Sequence, residues 1–104
     1  MDINEYRDWR PTYSLYEKNL TGLDDINGLQ LRQFLALTGL VSEATEAMSV
    51  LHKDFRNGRP IRLDKIKDEL SDVWWYFNMC LDEFDLTLEE LSEYNKNKLD
   101  ERNK

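Results

Sequence analysis

The stretch NGLQLRQFLALTGLVSEATEAMSVLHKDFRNGRP, Asn27 to Pro60, decides how the chain is read. Its apolar residues Leu31, Phe34, Leu37, Val41, Ala44, Met48, Leu51 and Phe55 recur every three or four positions, the spacing of one face of an α-helix. Asn27 followed by Gln30 supplies a start, and Asn57-Gly58-Arg59-Pro60 a stop, because Gly tolerates a left-handed backbone and Pro cannot continue a helix. The helix expected between these signals is the longest in the chain. It carries two acids, Glu43 and Glu46, among residues apolar enough for a core.

Outward from this stretch the helical pattern continues. Asp64 reads as the cap of a third helix running to about Glu83, and Thr87 with Glu90 as a capping box opening a fourth. Upstream, Asp2 and Glu5 open a first helix. Pro11 has no N–H to donate and predicts a break near Arg10, with helix resuming from about Pro11 to Leu20 and a loop from Thr21 to about Ile26. Strict polar and apolar alternation nowhere lasts long enough to indicate a strand. The expected fold is all-α: one domain over residues 1–104, a four-to-five-helix bundle with its active site between the second and third helices, and oligomeric.

At 104 residues the chain hides a smaller share of its surface than a large domain does, so self-association would add useful burial. A hydrophobic fraction of 40%, with three Trp, five Tyr and four Phe, is enough for a folded core rather than a disordered chain. The formal net charge of −7 gives no general attraction to a nucleic-acid backbone or an anionic membrane, so neither is expected as a partner. The longest unbroken apolar run, Val73 to Phe77, is too short to span a bilayer, and the start MDINEYRDWR has no signal-like apolar stretch. A cytoplasmic protein is expected. The single cysteine, Cys80, excludes an internal disulfide and reads as a small core residue.

The acids are placed by turning the helices at about 100° per residue. On the second helix the apolar arc holds Leu37, Val41, Ala44, Met48, Leu51 and Phe55, and Glu43 and Glu46 border it. On the third, an arc of Leu63, Ile66, Leu70, Val73, Trp74, Phe77, Leu81 and Phe84 is expected to be buried, with Glu69, Asp72 and Tyr76 as a stripe along its edge. Two antiparallel helices on a short connection bring such edges together. Four carboxylates would then converge, repelling one another unless a cation neutralises them. Mg²⁺ suits that need, being hard, oxygen-ligated and able to keep positions open for water and phosphate, with Mn²⁺ as a substitute. Solvated acids on amphipathic helices are the plain alternative.

Order and spacing together tip the balance. The run GLVSEATEAMSVLHKDFRNGRPIRLDKIKDELSDVWWYF, followed by LTLEELSEYNKNKLDERN, resembles the MazG-like nucleoside triphosphate pyrophosphohydrolases of the all-α NTP pyrophosphatase superfamily. Their signature is ExxE followed about two dozen residues later by ExxD, here Glu43, Glu46, Glu69 and Asp72. The likeness covers roughly Gly39 to Arg102 and includes a late NxxKLxxR pattern as Asn95, Lys98, Leu99 and Arg102. The chain differs in carrying Ser42 and Thr45 where the family often has Gly.

The resemblance implies cleavage of a nucleoside triphosphate between its α and β phosphorus atoms, giving a monophosphate and pyrophosphate. It assigns Glu43, Glu46, Glu69 and Asp72 as metal ligands and catalytic residues, one glutamate, Glu46 for preference, doubling as the base. Asn95, Lys98 and Arg102 become substrate-binding candidates, joined by Tyr76 and by Lys53 from the basic group Lys53, Arg56, Arg59 and Arg62. It also implies a homodimer or homotetramer, with Trp74 or Trp75 meeting another subunit or the nucleobase. Relatives act on standard, damaged or uracil deoxynucleotides or on phosphoribosyl-ATP; house-cleaning or control of the deoxynucleotide pool is the first expectation. His52 reads as a solvated side chain. A ferritin-like iron site would need Glu-x-x-His pairs, and Ser49 three residues before His52 excludes one. A non-catalytic helical interaction or nucleotide-binding module is the rival from another class.

Overall fold

A computed structural model describes residues 1–9 and 26–103. Four helices and no strand occur among them: α1 (Ile3–Trp9), α2 (Ile26–Arg56), α3 (Leu63–Glu83) and α4 (Leu88–Arg102). The helix expected from Pro11 to Leu20 and most of the loop after it lie outside the described residues.

Local chemistry explains the ends of these helices. Asp2 Oδ1 accepts from the Glu5 backbone N–H at 2.8 Å, fastening the first turn of α1. Helix α2 begins at Ile26, slightly before the Asn27 start read from the sequence. It stops where expected. Gly58 takes φ +61°, the Arg59 N–H bonds back to the Asp54 carbonyl and the Gly58 N–H to the Phe55 carbonyl, so both leftover carbonyls are satisfied. Helix α3 begins two residues earlier than read: Arg62, not Asp64, is its N-cap, and Asp64 sits in the first turn, where its charge favours the positive end of the helix dipole. Its far end repeats the same closure with Asp85 in place of Gly at φ +53°. Thr87 caps α4 as read, accepting from the Glu90 N–H at 3.1 Å.

Among the described residues the one extensive helix packing is the antiparallel α2–α3 hairpin. Gln33 Nε2 donates to the Glu83 carbonyl (3.0 Å) and the Arg32 guanidinium lies 3.5 Å from the Glu83 carboxylate, tying the start of α2 to the end of α3. In the middle Ala36, Met79 and Cys80 form a small buried core flanked by Leu40, Trp75 and Tyr76. A Cβ at Gly39 would fall on the Tyr76 ring, so the helices approach as closely as a bare backbone allows. Helix α1 lies over α3 through its rings: Tyr6 is 5.8 Å from Trp74 and Trp9 is 6.0 Å from Trp75, centroid to centroid. Both tryptophans of α3 thus find intramolecular partners on α1.

The face of α2 that meets α3 is not the one its hydrophobicity selects. The expected arc is largely solvated: Phe34, Leu37, Val41, Met48 and Phe55 each leave between 46% and 70% of their surface exposed. Ala36, Gly39, Leu40 and Glu43 make the contact instead. On α3, Leu81 is buried as read, whereas Leu63, Leu70 and Phe84 are exposed. Small residues win the intramolecular contact because they permit close approach of two backbones, leaving the bulky stripe turned outward. That stripe also makes Gly28–Arg56 long and apolar enough, by length and composition alone, to cross a bilayer, which the unbroken-run criterion passed over. Closure into a bundle within one chain is not seen among the described residues; the architecture is a helical hairpin with two shorter helices.

Candidate metal centre

The close approach at Gly39 positions what lies one turn further along α2. Glu43 follows Gly39 by four residues, and Asp72 and Glu69 precede Tyr76 by four and seven, so the three acids fall on the facing sides of the hairpin. One oxygen from each of Glu43, Glu69 and Asp72 lies within 4.8 Å of the other two. Glu43 and Glu69 are half-buried and Asp72 is exposed, so the group sits in the seam with one open side. Burial, followed by the charges of Asp72, Glu69 and Glu46, pushes the Glu43 carboxyl above the usual carboxylate range.

The donor set is chemically suited to a hard divalent cation. Three carboxylates from two helices offer only oxygen, and the open side leaves room for water or a phosphate oxygen. Glu46, expected as the fourth ligand, falls outside this group: it is exposed, on the next turn of α2, and reaches Glu43 only through its charge. Its place three residues on turns it about 60° away from Glu43 around the helix.

The other substrate-binding candidates are spread out. Tyr76 is half-buried with its ring laid on Gly39, which makes it a spacer between the helices as well as a neighbour of the acids. Lys53 is exposed ten residues beyond Glu43, about 15 Å along the axis. Asn95, Lys98 and Arg102 are exposed on α4, and among the described residues no hydrogen bond or ion pair links them to the carboxylates. Lys98 and Arg102 line an open groove of about 560 Å³ on α4 with Tyr94, Asn97 and Glu101. His52 is exposed, and Cys80 is buried, with its thiol pushed up by that burial and by the Glu83 charge.

One arrangement was not read from the sequence. Asp54, fully buried, accepts from Arg59 Nε (2.7 Å), Arg62 Nε (2.8 Å) and the Arg62 backbone N–H (3.0 Å), so two arginines of the basic group after α2 are locked onto one carboxylate. Those bonds hold the Asp54 carboxyl below its usual range, the backbone N–H of Arg62 contributing most. The clasp ties down the α2–α3 connection. With the Glu83 contacts at the opposite end, it fixes the register in which Glu43 meets Glu69 and Asp72. A signal was present: an acid in the last turn of a helix with two arginines in the turn that follows.

No family model matches the chain. None of the curated proteins or solved structures matches it either.

Proposed function

We propose that the protein is a Mg²⁺-dependent nucleoside triphosphate pyrophosphohydrolase of the MazG-like kind, acting as a homo-oligomer on the cytoplasmic deoxynucleotide pool. The observation that supports this reading most is the meeting of Glu43, Glu69 and Asp72, acids from two helices, within 4.8 Å. They are three of the four acids of the ExxE and ExxD pattern, and an isolated solvated helix face gives no reason for them to meet across a seam.

Glu43, Glu69 and Asp72 would hold the cation, with Mn²⁺ able to replace Mg²⁺. Bound there, the metal supplies charge neutralisation on phosphate oxygens and a more acidic water. Glu46, outside the group and one turn away, is left to orient the attacking water and take its proton. Water adds to the α phosphorus, the α–β anhydride bond breaks, and pyrophosphate leaves while the nucleoside monophosphate keeps the new oxygen. The half-buried seam around Glu43 and Glu69 lessens the screening of their charges by bulk water, while the open side at Asp72 admits substrate. Lys98, Arg102 and Asn95 on α4 and Lys53 at the end of α2 are the donors for the triphosphate.

The test is product analysis with Mg²⁺ and a panel of ribo- and deoxynucleoside triphosphates. Release of pyrophosphate supports the reading. Orthophosphate as the sole inorganic product indicates a different hydrolase, and no turnover of any nucleotide indicates a non-catalytic helical module. The ratio of kcat/KM across the panel identifies the preferred base.

A further inference from the structure

The clasp on Asp54 has an outward side. Arg59 and Arg62 both donate through Nε to one atom, Asp54 Oδ1, at 2.7 and 2.8 Å, while Oδ2 takes the Arg62 backbone N–H. A carboxylate accepts at roughly four sites, and a single guanidinium carries more donors than that, so Asp54 cannot satisfy both arginines. Among the described residues no other acid pairs with either of them, and 41% of the Arg59 side chain and 34% of that of Arg62 stay in solvent.

The two guanidiniums are close together and held still. Because their Nε atoms share one oxygen, they lie no further apart than those two bonds laid end to end, within reach of one tetrahedral phosphate whose oxygens accept N–H at about 2.7–2.9 Å. An ordinary surface arginine loses rotamer freedom when it grips an anion, whereas the buried Asp54 has already taken that freedom from both. One carboxylate between two guanidiniums also leaves the group net positive. The surroundings have the same sign: from position 53 to 67 the chain carries Lys53, Arg56, Arg59, Arg62, Lys65 and Lys67 against only Asp54 and Asp64, in a chain of net charge −7. Lys53, Arg56, Lys65 and Lys67 are all exposed.

We infer that Arg59 and Arg62, fixed on Asp54 at the end of the α2–α3 hairpin, form a binding site for a phosphate or pyrophosphate group of a small ligand, gripped by the outward donors of both guanidiniums. A small anion is favoured over a nucleic acid because exposed charges are screened beyond about 8–10 Å. A compact phosphate therefore meets only the local cations, whereas a long polyanion laid across the molecule also meets the acids that make the chain negative. The site is separate from the carboxylate group, since Asp54 lies eleven residues beyond Glu43, about 16 Å along α2. It needs no metal, and a chain without hydrolase activity would still hold it.

Titration of the ¹⁵N-labelled full chain with inorganic pyrophosphate tests the site, with EDTA present so that no divalent cation bridges the anion to the carboxylates. The side-chain N–H signals of Arg59 and Arg62 are expected to shift together and to saturate with a dissociation constant of ~1 mM or tighter. Arg59→Gln, which leaves Arg62 to neutralise Asp54, is expected to weaken binding by calorimetry about 10-fold with its helicity retained by circular dichroism. The titration of the wild type stands even where Arg59→Gln unfolds. No saturable shift at Arg59 and Arg62, shifts confined to Arg102 on α4, or a folded Arg59→Gln that binds pyrophosphate as the wild type does would each overturn the inference. So would a single-stranded oligonucleotide that shifts the pair where pyrophosphate does not, which would make a polymer the occupant.

Discussion

Gly39 lies directly beneath the Tyr76 ring, so that the spacing between α2 and α3 is set by the absence of a side chain at position 39. One turn further along, the same spacing brings Glu43 to Glu69 and Asp72.

Replacing Gly39 by Ala therefore sets two effects against each other. Helix propensity favours Ala by up to about 1 kcal/mol, whereas forcing a methyl into a closed contact costs about 1–3 kcal/mol. The neighbours are ring atoms rather than a flexible tip, so the steric effect wins, and Gly39→Ala is expected to lower stability by about 1 kcal/mol. In a Tyr76→Ala background the same substitution should become stabilising. Denaturant titration of the four proteins in this cycle checks the reversal of sign.

Glu43 carries the repulsion of the acidic group. Glu43→Gln is expected to raise the melting temperature measured without divalent cations by roughly 2–4 °C, corresponding to about half a kcal/mol for a group that is only half-buried. It should abolish the further rise that Mg²⁺ gives the wild type. Glu46→Gln, outside the group, should retain most of that Mg²⁺-dependent rise. Thermal melts with and without Mg²⁺ distinguish the two glutamates.

Asp54 gives the chain a defined response to acid. Its carboxyl titrates lower in the folded chain than in the unfolded one, so the stabilisation is fully present above the unfolded value of about 3.9. It is lost as the pH falls through the lower folded value. The stability gap between wild type and Asp54→Asn should thus be constant from neutral pH to about 5 and should close below pH 3–4. A gap that widens on acidification would contradict the clasp.

Asp85 holds a left-handed conformation that glycine adopts without strain. Asp85→Gly is expected to stabilise the chain by about 1 kcal/mol through the end of α3. Turnover should not change, because Asp85 lies thirteen residues beyond Asp72, about four turns from the acids. Chemical denaturation read alongside the activity assay checks both.

Helix ends were legible in the sequence because they are decided by local chemistry: Asp2, Gly58 and Thr87 act where their residue types require. The acidic pairs were legible for a related reason, since the helical period alone places Glu69 and Asp72 on one side of α3 and Glu43 on one side of α2. What was misread is the inward side of α2. Hydrophobicity marks Val41, Met48 and Phe55 for burial, yet they are exposed, whereas Gly39 and Ala36 are selected by backbone approach, to which a hydrophobic pattern is blind. Asp54 was missed because its partners lie across a turn whose geometry no periodicity describes. The exclusion of Glu46 depends on about 60° of helix rotation, finer than the edge of an apolar arc resolves.

Hydrolysis in ¹⁸O-labelled water with Mg²⁺ and a deoxynucleoside triphosphate, followed by mass analysis of both products for the wild type and Glu69→Gln, tests the proposed chemistry most directly. The label is expected in the nucleoside monophosphate and not in pyrophosphate, with turnover reduced by at least about 100-fold in Glu69→Gln. Label in pyrophosphate or orthophosphate, undiminished turnover in Glu69→Gln, or no turnover by the wild type with any nucleotide would contradict attack at the α phosphorus from a site built on Glu43, Glu69 and Asp72.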